Sequence, residues 1–204
     1  MRPKPSRFTR AELIKRLRLA VQGKRITYAV GGATALAAHG YRRNTRDVDV
    51  FVIEKDLPKI LRALRGVGLD VFAVFEPSHF AAKLPGDPDP ERRIDVLVPY
   101  SEPELSAIEF PVKKRKLRMF DSDLLALSKF YALDDSKDPR HGYDLHAMFR
   151  RGMFDPRKVR MMLGSVDPER LPAFDELIRL FSAPTQGGPK RRRPEGRIPR
   201  GESK

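Results

Sequence analysis

The chain has no cysteine among its 204 residues, which excludes disulfides and thiolate-held metals. It lacks any apolar run near the roughly 18 residues that a membrane-spanning helix needs. The opening Met1-Arg2-Pro3-Lys4-Pro5 is basic and without the apolar stretch of a secretory signal. Together these absences lead to the expectation of a cytoplasmic protein with no membrane partner. Histidine is scarce too: His39, His79, His141 and His146 show no metal-ligand spacing, so structural or surface roles are expected for all four. Acidic residues number 27 against 41 Lys and Arg, a net charge of +14. That excess gathers at the ends, with +6 over residues 1–18 and +5 over residues 183–204. Basic arms of this kind attract nucleic acid through phosphate contacts, or serve only as solvated termini.

Periodicity divides the rest. Leu13, Leu17 and Val21 recur at helical spacing behind Thr9, an apt N-cap, and Gly23 ends the run. A short strand over 26–30 leads into Gly31-Gly32 and an alanine-rich helix over 33–38. A polar loop, 41–46, precedes a strand beginning at Asp47. An amphipathic helix is expected over 57–67, strands over 69–75 and 79–84 with a turn at Pro77-Ser78, and a strand over 92–99. Residues 110–119 alternate and are basic, as an edge strand would be. After Asp121, another apt N-cap, only helical spacing follows, over 123–133, 143–150, 156–163 and 167–181. The expected fold class is therefore α/β (α+β): a small mixed-sheet core over 1–120, a helical C-terminal part over 121–182, and a disordered basic tail over 183–204. Tyr28, Phe51, Phe72 and Phe75 are expected in the core.

Three aspartates break the apolar pattern of these strands. Asp47-Val48-Asp49-Val50-Phe51-Val52 and Ile94-Asp95-Val96-Leu97-Val98 are otherwise rich in β-branched residues, and aspartate is both rare in strands and expensive to bury alone. Alternation places Asp47 and Asp49 on one face. If the Asp95 strand lies alongside, three carboxylates converge, and a divalent cation with oxygen ligands relieves their repulsion. Gly31-Gly32, between a strand and a helix, permits close approach of a ligand to the backbone. Each signal alone is common; the combination has few competing explanations.

Val30-Gly31-Gly32-Ala33-Thr34-Ala35-Leu36-Ala37-Ala38-His39-Gly40 followed by Arg43-Asn44-Thr45-Arg46-Asp47-Val48-Asp49-Val50-Phe51 resembles the minimal nucleotidyltransferases of the DNA polymerase β superfamily. The nearer similarity is to the AbiEii-like toxin branch and its uncharacterised relatives. Arg93-Ile94-Asp95-Val96-Leu97 matches the family's third carboxylate. Leu124-Leu125-Ala126-Leu127-Ser128-Lys129, Lys137-Asp138 and Tyr143-Asp144-Leu145 resemble its C-terminal helices. The resemblance spans about residues 25–150, and the 14 residues between Gly32 and Asp47 are slightly more than the usual family spacing. It implies transfer of an NMP from an NTP to a hydroxyl or phosphate acceptor. Asp47, Asp49 and Asp95 would be the catalytic and Mg²⁺ (or Mn²⁺) ligands. Gly31, Gly32, Arg43, Thr45, Arg46 and Lys129 would contact the nucleotide. RNA such as tRNA, a protein or a small molecule would be the acceptor, and a toxin role would come with a cognate antitoxin. Two other readings stay open: a glycosyltransferase using Asp47 and Asp49 to hold a nucleotide sugar, and a non-catalytic RNA- or partner-binding protein on this scaffold.

Overall fold

The computed structural model describes residues 8–75, 77–99 and 101–183; the basic tail from residue 184 and the first seven residues lie outside the described part. Helix α1 (Arg10–Val21) leads to strand β1 (Tyr28–Val30), α2 (Gly32–Ala38), β2 (Val48–Val52) and α3 (Leu57–Gly66). Then come β3 (Asp70–Phe75), β4 (His79–Lys83), β5 (Ile94–Leu97), α4 (Glu102–Glu109), β6 (Val112–Lys114) and β7 (Leu117–Met119). Four helices follow: α5 (Ser122–Ser136), α6 (Pro139–Arg150), α7 (Pro156–Val166) and α8 (Leu171–Ser182). The strands form one mixed sheet in the order β3-β4-β5-β2-β1-β7-β6. β2 pairs with β5, and β1 with β7, in parallel; the other neighbours are antiparallel.

Strand alternation sorts the side chains into two cores. Val48, Val50, Val52, Ile94 and Val96 face α1 and α3, where Leu13, Leu17, Ile60 and Leu64 are completely buried. Each such side chain contributes about 1.5–3 kcal/mol. The opposite face of the sheet, carrying Ala29 and Phe51, packs against α2, α4 and the C-terminal helices through Leu36, Ile108, Phe120, Leu125 and Phe130. Asp49 and Asp95 therefore point toward this second layer, beside its rim. Capping follows the sequence: Thr9 accepts from the Glu12 amide at 3.1 Å, and Asp121 from the Asp123 amide at 2.9 Å.

Four details differ from expectation. The basic segment 110–119 is an edge hairpin, not a single strand. Its turn residues Arg115 and Lys116 sit at φ 50° and 63°, a conformation usually signalled by Asn-Gly or Gly-Gly. Helix α4 was unexpected because, among its described side chains, only Ala107 and Ile108 are buried hydrophobics, too few for a period to show. Helix α6 begins at Pro139 rather than 143, capped by Asp138, whose side chain accepts from the Arg140 amide at 2.9 Å. Finally, Phe72 and Phe75 are 40% and 69% exposed: β3 is an outer strand of the sheet, and only Tyr28 and Phe51 of the four aromatics are buried.

Candidate active site

Parallel pairing of β2 and β5 brings Asp49 directly opposite Asp95. Asp47 stands one residue before β2, on the same side as Asp49 by alternation. One carboxylate oxygen from each of Asp47, Asp49 and Asp95 lies within 4.8 Å of the others. Electrostatics records the crowding. The Asp49 carboxyl is pushed from 3.8 up to about 6, first by burial and then by the neighbouring Asp47 charge, with Asp95 adding to the effect. Lys129 and Arg43 pull in the other direction. A cation bound among the three would relieve that crowding at neutral pH.

Neighbours hold two of the three carboxylates, those of Asp95 and Asp47, in place. Asp95 is 7% exposed, and its Oδ1 accepts from His79 Nε2 at 2.7 Å and from Arg93 Nε at 2.9 Å. The Thr45 hydroxyl donates to Asp47 Oδ1. Arg10, from the first turn of α1, donates through Nε to the Asp47 carbonyl at 3.0 Å and through Nη2 to Thr34 Oγ1 at 2.5 Å. Burial lowers the Arg10 pKa, and the charges of Asp47 and Asp49 oppose that shift.

The diglycine fits against β2. Gly31 donates its amide to the Asp49 carbonyl at 3.0 Å, and a Cβ on it would lie 2.7 Å from Phe51 Cε2. Gly32 adopts φ +52°, and a Cβ there would fall on Asp49 Oδ2. Glycine at 32 is thus what leaves room for the carboxylate. Gly32→Ala is expected to lower stability by about 1–3 kcal/mol from backbone strain alone, read as the urea unfolding midpoint; an unchanged midpoint would mean that this fit is not tight.

Between the acidic group and the loop before β2 lies a cleft of about 600 Å³, lined by Asp47 and Asp95 together with Arg43, Arg46, Arg93 and Arg140. Arg46 is largely exposed and pairs loosely with Glu91 at 3.3 Å. Arg43 reaches the buried Asp144 of α6, Nε to Oδ1 at 2.9 Å. Asp144 also holds Lys129 Nζ at 3.1 Å, and His141 Nδ1 lies 3.4 Å from the same nitrogen. Lys129 is only 7% exposed; its ammonium is held inside by Asp144, and its charge acts on Asp49. Of the sequence-derived set, Asp47, Asp95, Arg43, Thr45 and Arg46 line this cleft, Asp49 lies opposite Asp95 beside it, and Lys129 joins through Asp144 and its charge on Asp49. Gly31 and Gly32 back Asp49 without lining the cleft. Arg10, His79, Arg93, Arg140 and the two contacts of Asp144 went unrecognised in the sequence. Arg93 alone could have been found, standing two residues before Asp95 on the same face.

No family model matches the chain, and no curated protein matches it in sequence. Solved structures do. The antibiotic-resistance factor ANT(2'')-Ia superposes with a TM-score of 0.50 at 15% identity, covering 83% of this chain and 90% of its own. JHP933 from Helicobacter pylori reaches 0.52 at 16% identity, over 84% of this chain and 79% of its own. An H. pylori protein described as a candidate nucleotidyltransferase reaches 0.52 at 18%, over 82% and 80%. The chain has a nucleotidyltransferase fold. Within that fold, the mixed sheet with helices on both faces sets the three aspartates at one rim.

Proposed function

We propose that the protein is a metal-dependent nucleotidyltransferase, moving an NMP from an NTP to an acceptor hydroxyl or phosphate. The observation that carries this reading is the Asp49–Asp95 register, which with Asp47 gathers three carboxylates within 4.8 Å beside an arginine-lined cleft. An all-oxygen, triply acidic donor set suits a hard cation such as Mg²⁺ or Mn²⁺, and the raised Asp49 pKa is the strain a cation would remove. Asp47 and Asp49, with Asp95, would hold it. Bound there, the metal supplies charge neutralisation at the triphosphate and at the attacking and leaving oxygens.

The chain's own groups do the rest. Lys129 and Arg43, anchored through Asp144, meet phosphate oxygens, with Thr45 and Arg46 at the mouth of the cleft. Gly31 and Gly32 keep the backbone beside Asp49 free of side chains. The acceptor oxygen attacks the α-phosphorus, its proton passes to Asp95 when the acceptor is a hydroxyl, and the bond to the bridging oxygen breaks to release pyrophosphate. His79 and Arg93 both hold Asp95 Oδ1, which orients the carboxylate for that transfer. A glycosyltransferase reading gives Asp95 no role. Membership of the AbiEii-like branch, with a toxin role and an antitoxin partner, rests on the residue pattern and is a family-level analogy. RNA, tRNA included, is the acceptor class best matched to the chain's charge.

The test is incubation with Mg²⁺ or Mn²⁺, each labelled NTP, and total tRNA or protein. Label transfer lost in Asp47→Ala and in Asp95→Ala is the expected result. Transfer undiminished in both would reject the assigned site, and RNA binding without any turnover would favour a non-catalytic binder.

A further inference from the structure

The end of the sheet away from the carboxylates carries a second concentration of charge. β1 and β2 are antiparallel, so the diglycine end of β1 and the Asp49 end of β2 share one rim. The start of β1, the start of the parallel β7 and the last turn of α1 share the opposite rim. Two clefts open there. One, of about 410 Å³, is lined by Arg18, Lys24, Lys113, Lys116 and Arg118 around the buried Tyr28. The other, of about 420 Å³, is lined by Lys24 again with Arg25, Lys59 and Arg62. Among the described residues neither lining contains an Asp or Glu, whereas the candidate active-site cleft contains three acidic residues.

Little inside the protein neutralises this belt. Among the described residues, Lys59 pairs with Asp56 at 2.5 Å, and no ion pair involves the other seven cations. Arg18 Nε is buried with no hydrogen-bond partner among the described residues, an orphan donor of the kind that calls for a ligand or water. Arg118 is fixed in place, donating to the Ile26 carbonyl at 3.3 Å and lying over the Tyr28 ring at 5.9 Å.

We propose that this belt binds the phosphate backbone of a nucleic-acid strand, at a site separate from the carboxylate cleft. A single small anion would fill one cleft; two joined through Lys24 form a track for successive phosphates. Tyr28 is 5% exposed and offers no face for base stacking, so binding here reads charge spacing and not sequence. Helix α1 ties the two rims together: Arg10 at its start touches Asp47, and Arg18 faces the track. Its 12 residues span about 18 Å. Backbone binding at the belt does not depend on the transfer reaction.

The experiment uses the full chain and a labelled single-stranded RNA of mixed sequence, with fluorescence anisotropy across a salt series. Lys24→Glu with Lys113→Glu should weaken binding at least tenfold and flatten the log–log salt slope by about two. The control, Arg150→Glu with Arg157→Glu, makes the same charge change at exposed positions of α6 and α7 and should change affinity by less than threefold. Equal losses in the two double variants would overturn the proposal, since undirected attraction would explain both. Inorganic triphosphate competing as tightly as the RNA would also overturn it, in favour of a small-anion site. RNA binding that depends on Lys24 and Lys113 while no label transfer occurs would support the track and count against the transferase reading alone.

Discussion

Asp49→Asn is expected to reduce transfer by about a thousandfold while making the metal-free protein more stable at neutral pH. The two effects have one origin. The folded-state pKa of Asp49 is raised from 3.8 to about 6 by burial and by Asp47. For a carboxyl shifted upward, folding is favoured by the protonated form. Its contribution is fully present below about pH 4 and is lost as pH rises through 6. At pH 7.5 the ionised Asp49 therefore costs up to about 3 kcal/mol in the absence of a cation. Asparagine keeps the shape and removes the charge. In urea unfolding with EDTA, the variant should exceed the parent protein at pH 7.5, and the gap should narrow toward pH 4.5. Added Mg²⁺ should stabilise the parent at pH 7.5 and leave the variant nearly unmoved. A variant less stable than the parent at pH 7.5 would show that Asp49 is held by favourable contacts instead of strained among like charges.

Asp144→Ala is expected to lower stability by about 3–5 kcal/mol, because it leaves the ammonium of Lys129 buried without its carboxylate. Lys129 and Asp144 side chains are 8% and 1% exposed, and Arg43, at 30%, can turn toward solvent. An apolar double variant, Lys129→Met with Asp144→Leu, should regain much of that loss, since a well-packed hydrophobic pair commonly replaces a buried ion pair without penalty. Activity should not return with it. If Lys129 meets the triphosphate, the double variant folds, yet its transfer stays at least a hundredfold below the parent at any NTP concentration. Stability recovered together with full transfer would make the pair purely structural. Unfolding midpoints and initial transfer rates separate the two outcomes.

How much of this was legible in the sequence depended on whether a signal was local. The carboxylates announced themselves because aspartate is so poorly suited to a Val-rich strand, and alternation alone put Asp47 and Asp49 on one face. Their meeting with Asp95 needed the β2–β5 register, which the residues left as a condition and the likeness to a family supported. His79 and Arg10 were invisible: His79 reaches Asp95 through β4–β5 pairing, with Leu97 as its partner residue, and Arg10 reaches Asp47 across 37 residues of chain. Gly32 was assigned to phosphate contact, and its geometry adds a closer reason, the space taken by Asp49 Oδ2. The exposed Phe72 and Phe75 were misplaced for a related cause. A strand's own composition does not say whether it lies at the middle or the edge of a sheet. The basic belt was equally hidden, since it joins α1, α3 and the β6–β7 hairpin, while the net charge pointed only to the chain ends.

The most direct measurement is a crystal structure of the protein with Mn²⁺ and a non-hydrolysable NTP, using the anomalous signal to place the metal. Density shared by oxygens of Asp47, Asp49 and Asp95, with the triphosphate running toward Arg43 and Lys129, is the predicted result. Manganese absent from that trio while the nucleotide is bound, or Asp95 left with only His79 and Arg93 as partners, would contradict it.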